Sequence, residues 1–281
     1  MFSSWKNNEY ACINIHGTRD GSNSSLGELR RMIRAILWDI DNTLLDFDVA
    51  EKEALTTNFR EFGLGQFTDE MLKEYMVINR RRWQALERGE MEKQEVLEGR
   101  FREFFSLIGA DTGIAAAFNN RYQELLGDTI CFRDDSFELI KSLKGKVLQC
   151  IASNGTKKAQ TGKLKNSGFD KLFDLFFISE EIGAEKPATE FFDVCFRDIN
   201  AWLKENEHAL PYSNGGYFGE IKKDEIVIIG DSLTSDIKGG NNAGIRCVWY
   251  NPKNHPLDHD VKVDLEIKDL HEAIEYIKSL D

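Results

Sequence analysis

Five short apolar runs, strung along the chain and separated by stretches of helical character, constrain the fold of this sequence more than any other feature. They are Ala35–Trp38, Val147–Ala152, Leu175–Ile178, Ile226–Ile229 and Cys247–Trp249, rich in branched or aromatic side chains and mostly closing on polar or glycine positions. A run without apolar/polar alternation is what a strand covered on both faces requires. Helix-patterned segments lie between most of them, including Lys157–Ser167, Glu190–Leu203 and Ser235–Ala243, and Leu270–Leu280 closes the chain. Strand and helix in alternation predict a parallel sheet flanked by helices.

Residues 48–130 break that rhythm. No strand pattern occurs there, and apolar residues recur at helical spacing, as in Leu55, Phe59 and Phe62 or Ile114, Phe118 and Leu125. A separate helical module is predicted, with Trp83, Phe101, Phe104 and Phe105 more in keeping with its core than with ligand contacts. The module follows the first strand directly, and loops leaving the carboxyl ends of parallel strands are where such sheets build binding sites. Residues 204–223, with Pro211, Ser213, Asn214, Gly215, Gly216 and Gly219, read as a surface loop ahead of the fourth strand. Residues 1–31 are polar and interrupted by Gly17, Gly21, Ser22, Ser24 and Ser25, which predicts a disordered extension. Met32 stands just before the first strand, and the expectation is that translation naturally begins there.

Composition narrows the partners. With 281 residues and 41% hydrophobic content the chain can bury a sizeable core. Its 48 acidic and 36 basic residues leave a net charge of -12, which opposes nucleic-acid polymers and anionic lipid surfaces. An anionic substrate must then meet positive charge placed locally. Cys12, Cys131, Cys150, Cys195 and Cys247 show no paired spacing of a zinc site or disulfide framework, which fits a reducing, cytoplasmic setting. No apolar run approaches the roughly 18 to 20 residues of a membrane span, and no secretory signal is evident.

Polar groups cluster where the strands end. Asp39 and Asp41 follow the first run two residues apart, so strand alternation would place both carboxylates on one side. Neighbouring carboxylates repel unless a cation or proton is shared; helix capping by Asp41, Asn42 and Thr43 is the plainer alternative. Ile226–Ile229 ends in Gly230-Asp231-Ser232-Leu233-Thr234-Ser235-Asp236, again acids after a buried strand. Asp39 and Asp231 suit magnesium, which prefers oxygen ligands and is held by one or two carboxylates plus a substrate phosphate. Asp236 reads equally as a first-turn acid at a helix amino terminus. Ser153-Asn154-Gly155-Thr156 offers donors for an oxyanion, or an ordinary helix cap. Lys186 by itself reads as a solvent-facing loop lysine. These groups follow separate strands of one predicted sheet and can converge at its carboxyl edge.

Taken together, Asp39-x-Asp41-x-Thr43, Ser153-Asn154, Lys186-Pro187 and Gly230-Asp231-x4-Asp236 resemble, in order, the motifs of the haloacid dehalogenase (HAD) superfamily, over roughly residues 33–281. The stretch from Gly230 to Ile245, continuing to Trp249-Tyr250-Asn251-Pro252, looks most like its pyrimidine-type 5′-nucleotidase subgroup. The resemblance implies an α/β fold, a Rossmann-like doubly wound parallel sheet spanning 32–47 and 131–281, with an inserted α-helical cap at 48–130. It implies Asp39 as nucleophile, forming an aspartyl-phosphate, and Asp41 as acid and then base. Mg2+ would be held by Asp39, the Asp41 carbonyl and Asp231, with Thr43, Ser153, Asn154 and Lys186 on the phosphate oxygens and Asp236 supporting. The implied substrate is a small phosphorylated molecule, a nucleoside 5′-monophosphate of UMP, dUMP or dTMP type. A sugar phosphate or phosphoglycolate phosphatase is the alternative, ahead of a dehalogenase or an inactive binding protein. Cap residues from Phe47 to Leu64 and aromatics of the module would meet base and sugar. Oligomeric state is not legible.

Overall fold

The computed structural model describes residues 33–206, 219–257 and 260–280; the expected extension over 1–31, the start at Met32 and most of the 204–223 loop lie outside the described residues. The chain opens with β1 (Ala35–Trp38), then α1 (Phe47–Glu61), α2 (Asp69–Glu87), α3 (Lys93–Ile108) and α4 (Ala115–Asp128). α5 (Ser136–Leu143), β2 (Leu148–Ser153), α6 (Lys157–Ser167), β3 (Leu175–Ile178), α7 (Ser179–Ile182) and α8 (Thr189–Glu205) follow. β4 (Ile226–Gly230), α9 (Lys238–Ala243), β5 (Arg246–Tyr250), β6 (Leu265–Ile267) and α10 (Leu270–Leu280) complete it.

The six strands form one parallel sheet in the order β3-β2-β1-β4-β5-β6. The sequence pattern accounts for the first five strands; β6, three residues with Glu266 at its centre, is too short and too mixed to register as an apolar run. Side chains alternate between two cores. Ile36, Trp38, Ile151, Val227 and Ile229 pack with Leu139, Ile140, Leu270 and Ile274, from α5 and α10. Ala35, Leu37, Cys150 and Ile228 pack on the other face with Phe191, Phe192, Cys195 and Ile199 of α8. Both faces are therefore covered, as an all-parallel sheet demands, and each large apolar side chain removed from water contributes about 1.5–3 kcal/mol.

The helices α1 to α4 make a cap with its own core of Leu55, Phe59, Tyr75, Phe101, Phe104, Phe105, Phe118 and Tyr122. Of the aromatics singled out in the sequence, Phe101, Phe104 and Phe105 are fully buried there. α4 lies on α6 of the sheet layer at a seam of two glycines: a Cβ on Gly162 would stand 2.9 Å from the Gly127 Cα. Only bare backbones approach so closely. No helix among the described residues is long and apolar enough to cross a membrane.

Candidate active site

The strand ends bring together most of the groups expected from the sequence. β1 runs one residue beyond its last ladder position, with the Asp39 N–H donating to the Ile229 carbonyl at 3.0 Å, so the sheet itself fixes that residue. Ile40 is buried in the core, and Asn42 adopts φ 65°, a left-handed conformation that asparagine tolerates better than most residues. Its Oδ1 accepts from the Phe47 N–H at 3.1 Å and from Arg133 at 3.2 Å, closing the turn. The cap of α1 is Asp46, which accepts from the Val49 N–H. The N-cap is thus none of Asp41, Asn42 and Thr43, although Asn42 holds the first N–H of the helix.

Lys186 is buried, not the solvent-facing loop lysine of the plainer reading. Its Nζ donates to Asp39 Oδ1 at 3.0 Å, Asp236 Oδ1 at 2.6 Å and the Ala152 carbonyl at 2.5 Å. The Asn154 side chain clamps the Lys186 backbone at both ends, donating to its carbonyl at 2.7 Å and accepting from its N–H at 2.8 Å. One amide N–H and the amide oxygen thus place Lys186, and Asn154 also lines the cavity. Asp236 lies in a single π-turn (Leu233–Ile237), and its second oxygen accepts from the Ser232 N–H at 3.0 Å. Gly230 permits this crossing, since a Cβ there would stand 2.3 Å from the Asp236 carboxyl carbon.

Thr43 is fully buried and accepts from the Asp231 N–H at 3.1 Å, while the Trp249 indole donates to the Asp231 carbonyl at 2.8 Å. Asp231 is thus held by its backbone, and Thr43 lies outside the cavity lining. Ser153 does line it, its hydroxyl accepting from the Gly155 N–H at 3.1 Å, whereas the helix cap of α6 is Thr156.

Two residues of this site escaped the sequence reading. Lys163 donates a short hydrogen bond to Asp41 Oδ1, and Gln160 donates to Asp41 Oδ2 at 2.8 Å. Lys163 is buried, with its ammonium 5.0 Å from the centre of the Phe47 ring. Thr156, Gln160 and Lys163 recur at helical spacing on one face of α6, a polar stripe where a core-facing stripe would be apolar. That stripe was the available signal.

The cap adds a second polar cluster. Arg100 lies 5.0 Å from the ring centres of both Phe101 and Tyr122, and donates at 3.0 Å to Asn79 and to Asn119. Asn79 and Tyr122 both donate to Glu51 Oε1 at 3.0 Å. Gln123 accepts from Thr156 at 2.7 Å, joining cap to α6. Between the two groups lies a cavity of about 190 Å³, over ten times the space one water requires. Asp39, Asp41, Lys186 and Asp231 face it from the sheet; Trp83, Glu87, Asn79 and Arg100 face it from the cap.

Burial pushes the Asp39 carboxyl up to about 7, against the lowering pull of Lys186 and with the charges of Asp236 and Asp41 adding to the rise. Asp231 is raised well above its ordinary value, by burial first and then by Asp39. Burial lowers Lys186, but Asp236 and Asp39 outweigh it and hold the amine protonated. Carboxylate oxygens of Asp39, Asp231 and Asp236 lie within 4.8 Å of one another. Both Asp236 oxygens are already engaged, and no cation among the described residues pairs with Asp231. A buried and a half-buried carboxylate short of positive charge, with oxygen donors only, fit a hard divalent cation such as Mg2+.

Known proteins carry the same plan. Residues 36–250 match the model of the haloacid dehalogenase-like hydrolases. The HAD-hydrolase YfnB of Bacillus subtilis is 33% identical over 239 residues, 85% of this chain and 93% of that protein. The pyrimidine 5′-nucleotidase PynA of Streptococcus pneumoniae is 33% identical over 248 residues, 88% of this chain and 93% of its own length. The pyrimidine 5′-nucleotidase YjjG of Escherichia coli is 26% identical over 238 residues, covering 84% and 94%. A crystal structure of YfnB bound to magnesium superposes with a TM-score of 0.75 at 30% identity, covering 88% of this chain and 99% of that one. Matched by the family model over residues 36–250 and by relatives over most of its length, this chain belongs to the haloacid dehalogenase-like hydrolase family.

Proposed function

We propose that the chain hydrolyses phosphomonoesters through an aspartyl-phosphate, with pyrimidine nucleoside 5′-monophosphates as its substrates. The observation that carries this reading is the pairing of two acids in different surroundings on one cavity: Asp39 against the Lys186 ammonium, and Asp41 two residues on, bonded to Lys163 and Gln160. Asp39 is buried and fixed by the ladder, as a nucleophile that attacks phosphorus must be. Asp41 gives its proton to the departing alkoxide oxygen and then takes one from the water that hydrolyses the intermediate. Carbon–halogen cleavage has no alkoxide to protonate, so this acid favours phosphate over halide as the group handled.

Lys186 and the Ser153 hydroxyl hold phosphoryl oxygens, with Asn154 and Asp236 fixing Lys186 and Thr43 fixing Asp231. The residues that would hold Mg2+ are Asp39, Asp231 and the Asp41 carbonyl. Bound there, the ion supplies charge that offsets repulsion between carboxylate and phosphate. The cap walls the cavity from water during transfer. The pyrimidine preference draws on the relatives PynA and YjjG.

Phosphate release from a panel of nucleoside monophosphates, sugar phosphates and phosphoglycolate, with magnesium and with chelator, tests the proposal. UMP or dTMP should lead the panel and chelator should abolish turnover. Equal or better turnover of phosphoglycolate would replace the nucleotidase with a small-metabolite phosphatase, and halide release from haloacids without phosphatase activity would end both.

A further inference from the structure

Glu87 is the last residue of α2 and faces the cavity from the cap. Its situation is unfavourable on three counts. Burial pushes its carboxyl up to about 7, with Asp236 adding to the rise, while a hydrogen bond from Thr234 and the charges of Lys186 and Arg88 oppose it. The last turn of α2 holds no basic residue, so the acid stands at the partly negative end of a helix. Oε2 is buried without a hydrogen-bond partner among the described residues. A buried acceptor left unpaired costs free energy that a stability-driven sequence would avoid.

A second orphan lies on the opposite wall. Gln160 donates its amide N–H to Asp41, and its Oε1 is likewise buried and unpaired. Cap and core therefore each hold an acceptor without a donor beside one cavity above Asp39 and Asp41, both oxygens sealed from solvent until their side chains turn toward a ligand. With the phosphoryl group at the strand ends, whatever lies between these acceptors is the leaving group.

We propose that Glu87 is a specificity-determining residue whose unpaired carboxyl oxygen accepts a hydrogen bond from a neutral donor on the leaving group, a sugar hydroxyl or an imide N–H. The inference rests on the phosphatase reading of the same site. A leaving group with such a donor satisfies the orphan, whereas one lacking it leaves the acceptor desolvated and empty-handed. A leaving group ending in a carboxylate brings a second acid against Glu87, and the two repel.

The test measures kcat/KM of the wild type, Glu87→Gln and Glu87→Ala on UMP, its 2′,3′-dideoxy analogue, its N3-methyl analogue, ribose 5-phosphate with its 3-deoxy analogue, and phosphoglycolate. In the wild type, removing the responsible donor should lower kcat/KM about 10- to 100-fold. In Glu87→Ala the same substrate change should add little, because the two losses describe one contact. Glu87→Gln keeps an acceptor oxygen and should retain most of the discrimination, while phosphoglycolate gains on the nucleotide in both variants. The dideoxy arm identifies a sugar hydroxyl as the donor; the N3-methyl arm identifies the imide. Losses that add in every arm, a Glu87→Gln as impaired as Glu87→Ala, or a wild type that prefers phosphoglycolate would overturn the proposal. Should Glu87→Ala fail to fold by thermal melting, the Glu87→Gln discrimination and its phosphoglycolate gain still decide. A wild type that hydrolyses ribose 5-phosphate but no nucleotide would remove the nucleotidase reading alone, and the 3-deoxy arm would then test Glu87.

Discussion

Two buried cations divide this molecule, Lys186 in the sheet layer and Arg100 in the cap, and their surroundings differ. Lys186 touches two carboxylates and a carbonyl, with Asp231 and Asp41 on the same cavity, so negative charge is in excess around it. Arg100 meets neutral amides and aromatic faces, with Glu51 reached through Asn79 and Tyr122. In the first arrangement carboxylates outnumber the cation, an imbalance that a divalent cation would offset. The second satisfies its charge internally and shapes the wall of the pocket. Reactive and structural uses of buried charge thus separate by the partners chosen, an excess of carboxylates around Lys186 and neutral amides and rings around Arg100.

The strongest challenge to that division is Asp39→Asn. Loss of a nucleophile should lower kcat by about 10⁴- to 10⁶-fold, while the thermal midpoint holds or rises because a desolvated carboxylate is gone. Unchanged phosphate release would remove both the nucleophile and the mechanism. Arg100→Met should do the reverse, costing about 1–3 kcal/mol in denaturant unfolding for each amide oxygen that loses its donor, with a smaller effect on kcat than on KM. A variant stable as the wild type but inactive would place Arg100 on the reactive side instead.

Gly162→Ala probes the join between the two regions. Overpacking against Gly127 should cost about 1–3 kcal/mol, and because α6 also carries Gln160 and Lys163, KM should rise with it. Calorimetry together with initial rates reads both. The smallest expected effect concerns pH in the metal-free protein. Asp39 and Glu51 rise to about 7 from ordinary values of 3.8 and 4.5, each mainly through burial. The folded state therefore binds more protons than the unfolded one in that window. The stability these groups contribute is complete below pH 3.8 and is lost as pH rises through about 7. Magnesium at pH 8 should restore the Asp39 share and leave the Glu51 share, raising the melting midpoint by a few degrees. A midpoint unmoved by magnesium would argue against Asp39 as a ligand.

The strand ends were legible because their signal is local: each acid follows an apolar run within a residue or two, and parallel strands deliver their ends to one edge. The helix-capping alternatives were resolved by backbone geometry, which assigns the caps to Asp46 and Thr156. Thr43 and Asn154 make contacts that a motif does not spell out. Both belong to the expected set, and one secures Asp231 while the other secures the Lys186 loop. Phe47, from the stretch expected to face substrate, lines the cavity; Trp83 lines it too, against its expected place in the cap core, where Phe101, Phe104 and Phe105 do lie.

By itself the sequence determined the parallel sheet, the helical insert and the acids at the strand ends, since apolar run length and the residues that terminate a run are properties of contiguous chain. Only the tertiary structure decided that Gln160 and Lys163 reach Asp41, that Glu87 keeps an unpaired oxygen over the cavity, and that Arg100 is held between rings. Those outcomes depend on which face a helix buries. For α6, where buried Gln160 and Lys163 alternate with buried Ala159 and Leu164, the close approach of Gly127 and Gly162 helps select that face by setting how cap and sheet layer meet.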